Sequence, residues 1–294
     1  MVDSAENIIR RKKFLQAIIG FASVILVIVV MVVLVNSLGI LPEDRDSRLC
    51  LTGGDPPAVT GILIDRSEAY NPQQVRDIKN SFGQWLRYGK RIKDQHSPIN
   101  EKVFAPNNLL LLYALDEIAL SSSEEITPLV EVCKPPDWEL PVEWYKKPAK
   151  NIDLEKHEFL KKFLGPMMDA LDSLIREPQG LSPIMEMIQA ISSSNAWGQY
   201  PDRPHYLVIL SDMVQNTEQY SHLRDTTDWE RFRSQFPNVY SRVKTSLHGV
   251  EWNVLYVHRE ATASIQKRSH QEFWQNYFQD AGTEAGRFIL IEGE

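Results

Sequence analysis

Val59–Asp65 reads VTGILID, an uncharged run that closes on an acid. Its length and β-branched content predict a buried strand rather than a helix turn. Five further short, mainly apolar runs read as strands: Leu109–Leu115 (LLLLYAL), Ile126–Cys133 (ITPLVEVC), His205–Leu210 (HYLVIL), Trp252–His258 (WNVLYVH) and Arg287–Ile291 (RFILI). Helical signals fall between them. Asn71-Pro72 places an N-cap before a proline at the first helical position, and Val75, Ile78, Phe82 and Trp85 then recur at helical spacing. Phe159, Phe163, Met167, Leu171 and Leu174 predict a long helix over 154–176, kinked or split at Pro166. Ser182-Pro183 opens another helix, and two more are expected within 227–247 and over 272–281. Continuously apolar strands alternating with helices predict one α/β domain over 59–294, a doubly wound, mainly parallel six-stranded sheet covered on both faces.

The N-terminus differs from the rest. Residues 17–35 (AIIGFASVILVIVVMVVLV) are nineteen in a row without a charge. At ~1.5 Å per residue a helix of that length approaches the ~30 Å hydrocarbon core of a bilayer. Arg10, Arg11, Lys12 and Lys13 precede it, whereas acidic and basic residues mix after it. The basic side marks residues 1–16 as a cytoplasmic arm, 17–35 as a single transmembrane helix and 36–58 as a linker to a periplasmic or extracellular domain. The run exceeds the ~7–15 apolar residues of a signal peptide, so an uncleaved anchor is expected. In an oxidising compartment Cys50 and Cys133, the only two cysteines, can pair or stay as thiols; the sequence leaves both open.

The arm holds four basic and two acidic residues, leaving −9 for the remainder of a chain whose net charge is −7. That balance argues against general nucleic-acid binding, which needs a basic face. The seven histidines show no zinc-type spacing. No nucleophile elbow, phosphate-binding loop or dinucleotide fingerprint occurs.

Ligands of open parallel sheets bind at the carboxyl ends of strands, so residues following the strands are the candidates. The first strand ends Asp65-Arg66-Ser67-Glu68-Ala69, the fourth Ser211-Asp212-Met213, and Ser182 precedes a middle helix. This order resembles the von Willebrand factor A family, whose metal-ion-dependent adhesion site uses Asp-x-Ser-x-Ser, then a Thr, then an Asp. The resemblance implies a doubly wound sheet and a Mg2+ site formed by Asp65, Ser67, Ser182 and Asp212, open to an acidic side chain of a protein partner. It is a degenerate match: Ala69 stands for the second serine, Ser182 for the threonine, and Met213 where the family usually has glycine, with a side chain expected to crowd the rim. Hard oxygen donors suit magnesium.

Each residue has a structural reading as well. Asp65 and Asp212 read equally as loop caps and Ser182 as a helix N-cap. Arg66 and Glu68 read as a mutual pair or a solvated face. Trp138, Trp197 and Tyr200 read as a partner-binding rim or as loop anchors. The function expected is a membrane-anchored protein-binding module. The alternatives are a metal-free structural subunit of a cell-envelope assembly and a metal-assisted hydrolase.

Overall fold

The computed structural model describes residues 23, 25–33, 44–88, 99–115, 125–136, 156–176 and 180–291. The chain divides into two compact units, one of Met1–Glu43 with Leu140–Leu154 and one of Asp44–Glu139 with Glu155–Glu294. In the first, residues 23 and 25–33 are helical and exposed, and they include Ile25–Val33, an apolar stretch. No helix among the described residues is long and apolar enough to cross a membrane. The basic arm, the rest of the 17–35 run and Trp138 lie outside the described residues.

The second unit is an α/β sandwich built on one six-stranded sheet. Its elements are β1 (Val59–Ile64), α1 (Pro72–Tyr88), β2 (Leu109–Ala114), β3 (Val130–Cys133), α2 (Gly165–Arg176), α3 (Ile184–Ser193), α4 (Asn195–Gly198), β4 (His205–Ser211), α5 (Trp229–Gln235), α6 (Pro237–Val243), β5 (Val250–Val257), α7 (Arg268–Asp280) and β6 (Ala285–Ile291). The strand order is β3-β2-β1-β4-β5-β6. All pairings are parallel except β2 with β3.

Alternation along the strands sorts their side chains into two cores. Leu63, Leu111, Ile209, Val254 and Tyr256 pack with α3 and α5–α7 on one face. Ile62, Ile64, Leu112, Leu210 and Leu255 pack with α1 and α2 on the other. Gly61 permits a close approach on the first face, because a Cβ there would lie 2.7 Å from the Trp197 ring. Trp197 is therefore buried at the amino end of the sheet, against His205 at the start of β4, and is not a rim aromatic.

Local signals explain most boundaries. Asn71 Oδ1 accepts from the Gln74 N–H (2.8 Å), and Gln74 Oε1 accepts from the Asn71 N–H (3.1 Å), a reciprocal cap that starts α1. Near Pro166 the chain is π-helical over Glu158–Leu164 and turns α-helical from Gly165. The 227–247 segment forms two short helices, because Pro237 cannot continue α5 and instead opens α6. The third strand is shorter than 126–133 and runs antiparallel, so it closes the sheet as an edge. Cys50 and Cys133 form a disulfide with their Cα atoms 4.8 Å apart, which fastens the segment before β1 to the end of β3.

Candidate functional site

The strand order reverses between β1 and β4: the chain winds outward to β2 and β3, then returns to the other side of β1. A crevice at the carboxyl ends of such a pair is the standard ligand position of wound sheets. Because Ile64 pairs with Leu210, Asp65 and Asp212 leave adjacent strands at nearly the same height.

Asp65 is fully buried. Its Oδ1 accepts from the Ser67 N–H at 2.8 Å, and its Oδ2 accepts from Ser182 Oγ at 3.2 Å and Ser211 Oγ at 2.5 Å. Asp212 Oδ1 accepts from the Val214 N–H at 2.9 Å. Asp65, Ser182 and Asp212, expected together from the sequence, thus converge with Ser67 on one rim. Ser182 does not cap α3. Pro183 occupies that position without a side-chain cap, while Ser182 pairs with Asn216 across the rim and gives its hydroxyl to Asp65.

Met213 has φ +59° and is fully buried in the core rather than crowding the rim. A left-handed backbone favours glycine, so the residue type that the resemblance expects here matches what the geometry asks of it.

Arg259, the second residue after β5, completes the site, and reading only the first and fourth strand ends misses it. Its Nε lies 3.1 Å from Asp212 Oδ2, an ion pair by distance, although the N–H is not aligned for a hydrogen bond. Its Nη1 donates to the Ala69 carbonyl at 2.7 Å and lies 3.7 Å from Glu68 Oε2. Its Nη2 donates to the Glu68 carbonyl at 3.3 Å, and the guanidinium sits 4.8 Å from the centre of the Tyr70 ring. Glu68 therefore pairs with Arg259. Tyr70 in turn donates its hydroxyl to the Asp65 carbonyl.

Burial pushes the Asp212 carboxyl up, and the Asp65 charge adds to this while Arg259 opposes it. Burial likewise raises the Tyr70 phenol, again with Asp65 adding and Arg259 opposing.

No family model matches the chain, and no curated protein matches it.

Behind the rim, Gln266 Nε2 donates to the carbonyls of Asp212 (3.1 Å) and Val257 (2.8 Å), and its Oε1 accepts from the Arg259 N–H (2.9 Å). That one amide fixes the loop carrying Arg259 to the loop carrying Asp212. Deeper still is a buried polar chain in which Tyr256 Oη lies 2.7 Å from His270 Nδ1 and His270 Nε2 lies 3.0 Å from His222 Nδ1. His222 Nδ1 also accepts from the Gln215 N–H at 3.3 Å. Burial holds His270 down at about 4 and His222 well below the ordinary imidazole value, with the neighbouring His270 charge adding to the latter.

The rim acids already have partners from the protein itself. Asp65 accepts from three protein donors and Asp212 from a backbone N–H, and the Arg259 guanidinium supplies a positive charge beside Asp212.

Proposed function

We propose that this chain is a membrane-anchored protein-recruiting module whose carboxyl-end rim, at the β1/β4 crevice, is the recognition face. One observation carries the reading. Asp65, Ser67, Ser182 and Asp212, drawn from three distant segments, meet at the single place where the strand order reverses. The anchor rests on the charge-free 17–35 run and the apolar, exposed helical residues within it. Mg2+ is not carried into the reading, since the Arg259 guanidinium already supplies positive charge beside Asp212.

A photoreactive amino acid at Ala69, exposed on the rim, tests the proposal against one at Asp202, exposed at the amino end of the sheet. The reading expects a discrete protein adduct in cells from position 69 and none from 202. Adducts from 202 alone would refute it.

The alternative, a structural subunit contacting its assembly through sheet edges, has one observation in its favour. β6 pairs only with β5 among the described strands, and Leu290 on it is half exposed. A third probe at Leu290 distinguishes it: an adduct there, with none at 69, selects the edge.

A further inference from the structure

We infer that Arg259 is the built-in cation of this rim: its guanidinium takes the place of a divalent ion and holds the two-acid crevice together in a metal-independent way. The inference goes beyond the recruiting reading and stands whether or not the rim binds a partner.

Two carboxylates brought together inside a protein repel each other, and the repulsion is relieved when one holds a proton or when a positive charge stands beside them. A metal site would supply that charge from solution, with hydroxyls completing the shell. Here the charge comes from the loop after β5, carried by a side chain only 6% exposed against an Asp212 side chain only 3% exposed. The guanidinium does more than neutralise. Its planar fork reaches the carbonyls of Glu68 and Ala69 on the β1 loop while its Nε faces Asp212 on the β4 loop, so one group spans the crevice.

The departure from the metal-binding pattern falls at the same spot. Ala69 offers no hydroxyl where a second serine would stand, and its carbonyl instead accepts from Arg259. The hydroxyls of Ser182 and Ser211 donate to Asp65 Oδ2. Tyr70 closes the guanidinium from one side, and Gln266 fixes the backbone of Arg259 itself. A position 69 without a hydroxyl and a buried guanidinium beside Asp212 form a consistent set, and neither alone would define a guanidinium standing in for a metal.

The test uses the full-length chain in detergent with MnCl2 as the only added metal. Free Mn2+ is followed by electron paramagnetic resonance and stability by thermal unfolding in EDTA and in Mn2+. The wild-type chain is expected to take up no Mn2+ saturably and to unfold at the same temperature in both. Arg259→Ser is expected to unfold earlier in EDTA, to bind one Mn2+ and to recover part of the lost stability with it. Adding Asp212→Asn should abolish that uptake. Arg259→Gln, which keeps an amide donor for the carbonyls but drops the charge, is the second variant and should gain Mn2+ uptake likewise. Saturable one-site uptake by the wild-type chain that Asp65→Asn removes would overturn the inference. So would variants at Arg259 that are as stable as wild type, or that remain unfolded or metal-blind whatever the Mn2+ concentration.

Discussion

Arg259→Met removes one partner of a buried ion pair, and with it the guanidinium over the Tyr70 ring, while roughly keeping side-chain length. Both partners are almost fully shielded, at 6% and 3% exposure, so solvent neither screens their attraction nor rescues a widowed charge. Removing one member of such a pair typically costs about 3–5 kcal/mol. For a domain of this size each kcal/mol lowers the unfolding midpoint by ~2–4 °C, giving a fall of roughly 6–20 °C. Asp212→Asn alone leaves the guanidinium facing a neutral amide and is expected to destabilise too. The double variant leaves neither charge stranded, so its loss should fall short of the two single losses added together by about 2–3 kcal/mol. Urea unfolding followed by the fluorescence of the seven tryptophans, under non-reducing conditions, gives all four corners of the cycle. An Arg259→Met loss below ~1 kcal/mol, or strict additivity, would refute the view that this pair holds the crevice.

Three further outcomes are expected. Cys50→Ser with Cys133→Ser opens a covalent loop spanning 83 residues, and chain-entropy reasoning puts the loss at up to ~4–5 kcal/mol, read as a drop in urea midpoint that reductant reproduces in the wild type. The buried histidine pair makes stability pH-dependent. With both folded values depressed, the unfolded chain takes up protons first, so stability is full above ~6.5 and is lost as pH falls from there towards about 4. Asp212, whose value is raised, works in the opposite sense, so His222→Phe should flatten or invert the acid limb, and an unchanged limb would remove the histidines as its cause. Gly61→Ala forces a Cβ to within 2.7 Å of Trp197 and should cost about 1–3 kcal/mol with an altered tryptophan emission; wild-type stability would show that the ring yields freely.

The wound sheet was legible because its strands are buried on both faces and therefore read as unbroken apolar runs. β3 was the exception. As an edge strand it carries Glu131, which pairs with Arg48, and nothing in ITPLVEVC encodes the direction in which it pairs. The Asn71-Pro72 start was legible since cap and proline both act locally, whereas Ser182-Pro183 looks the same in sequence and differs in role. There a tertiary acceptor, Asp65, outcompetes the helix end for the hydroxyl. Pairing of the two cysteines depended on three-dimensional proximity, which spacing does not reveal. Asp65, Ser67 and Asp212 followed from a simple rule, that residues just after strands face the crevice, whereas Ser182, which precedes α3, came only from the family resemblance. Arg259 obeys the same rule after β5, and applying it to every strand would have found it. What sequence alone does not contain is that its charge turns inward to Asp212 instead of outward to solvent.

The account rests on a guanidinium standing where a metal-binding rim would hold its ion. Crystals of the chain grown in MnCl2, with diffraction collected at a wavelength where manganese scatters anomalously, test this directly. The account predicts Arg259 density joining Asp212 to the carbonyls of Glu68 and Ala69, with no anomalous peak near Asp65. An anomalous peak bridging Asp65, Ser67, Ser182 and Asp212, with Arg259 swung away, would contradict it.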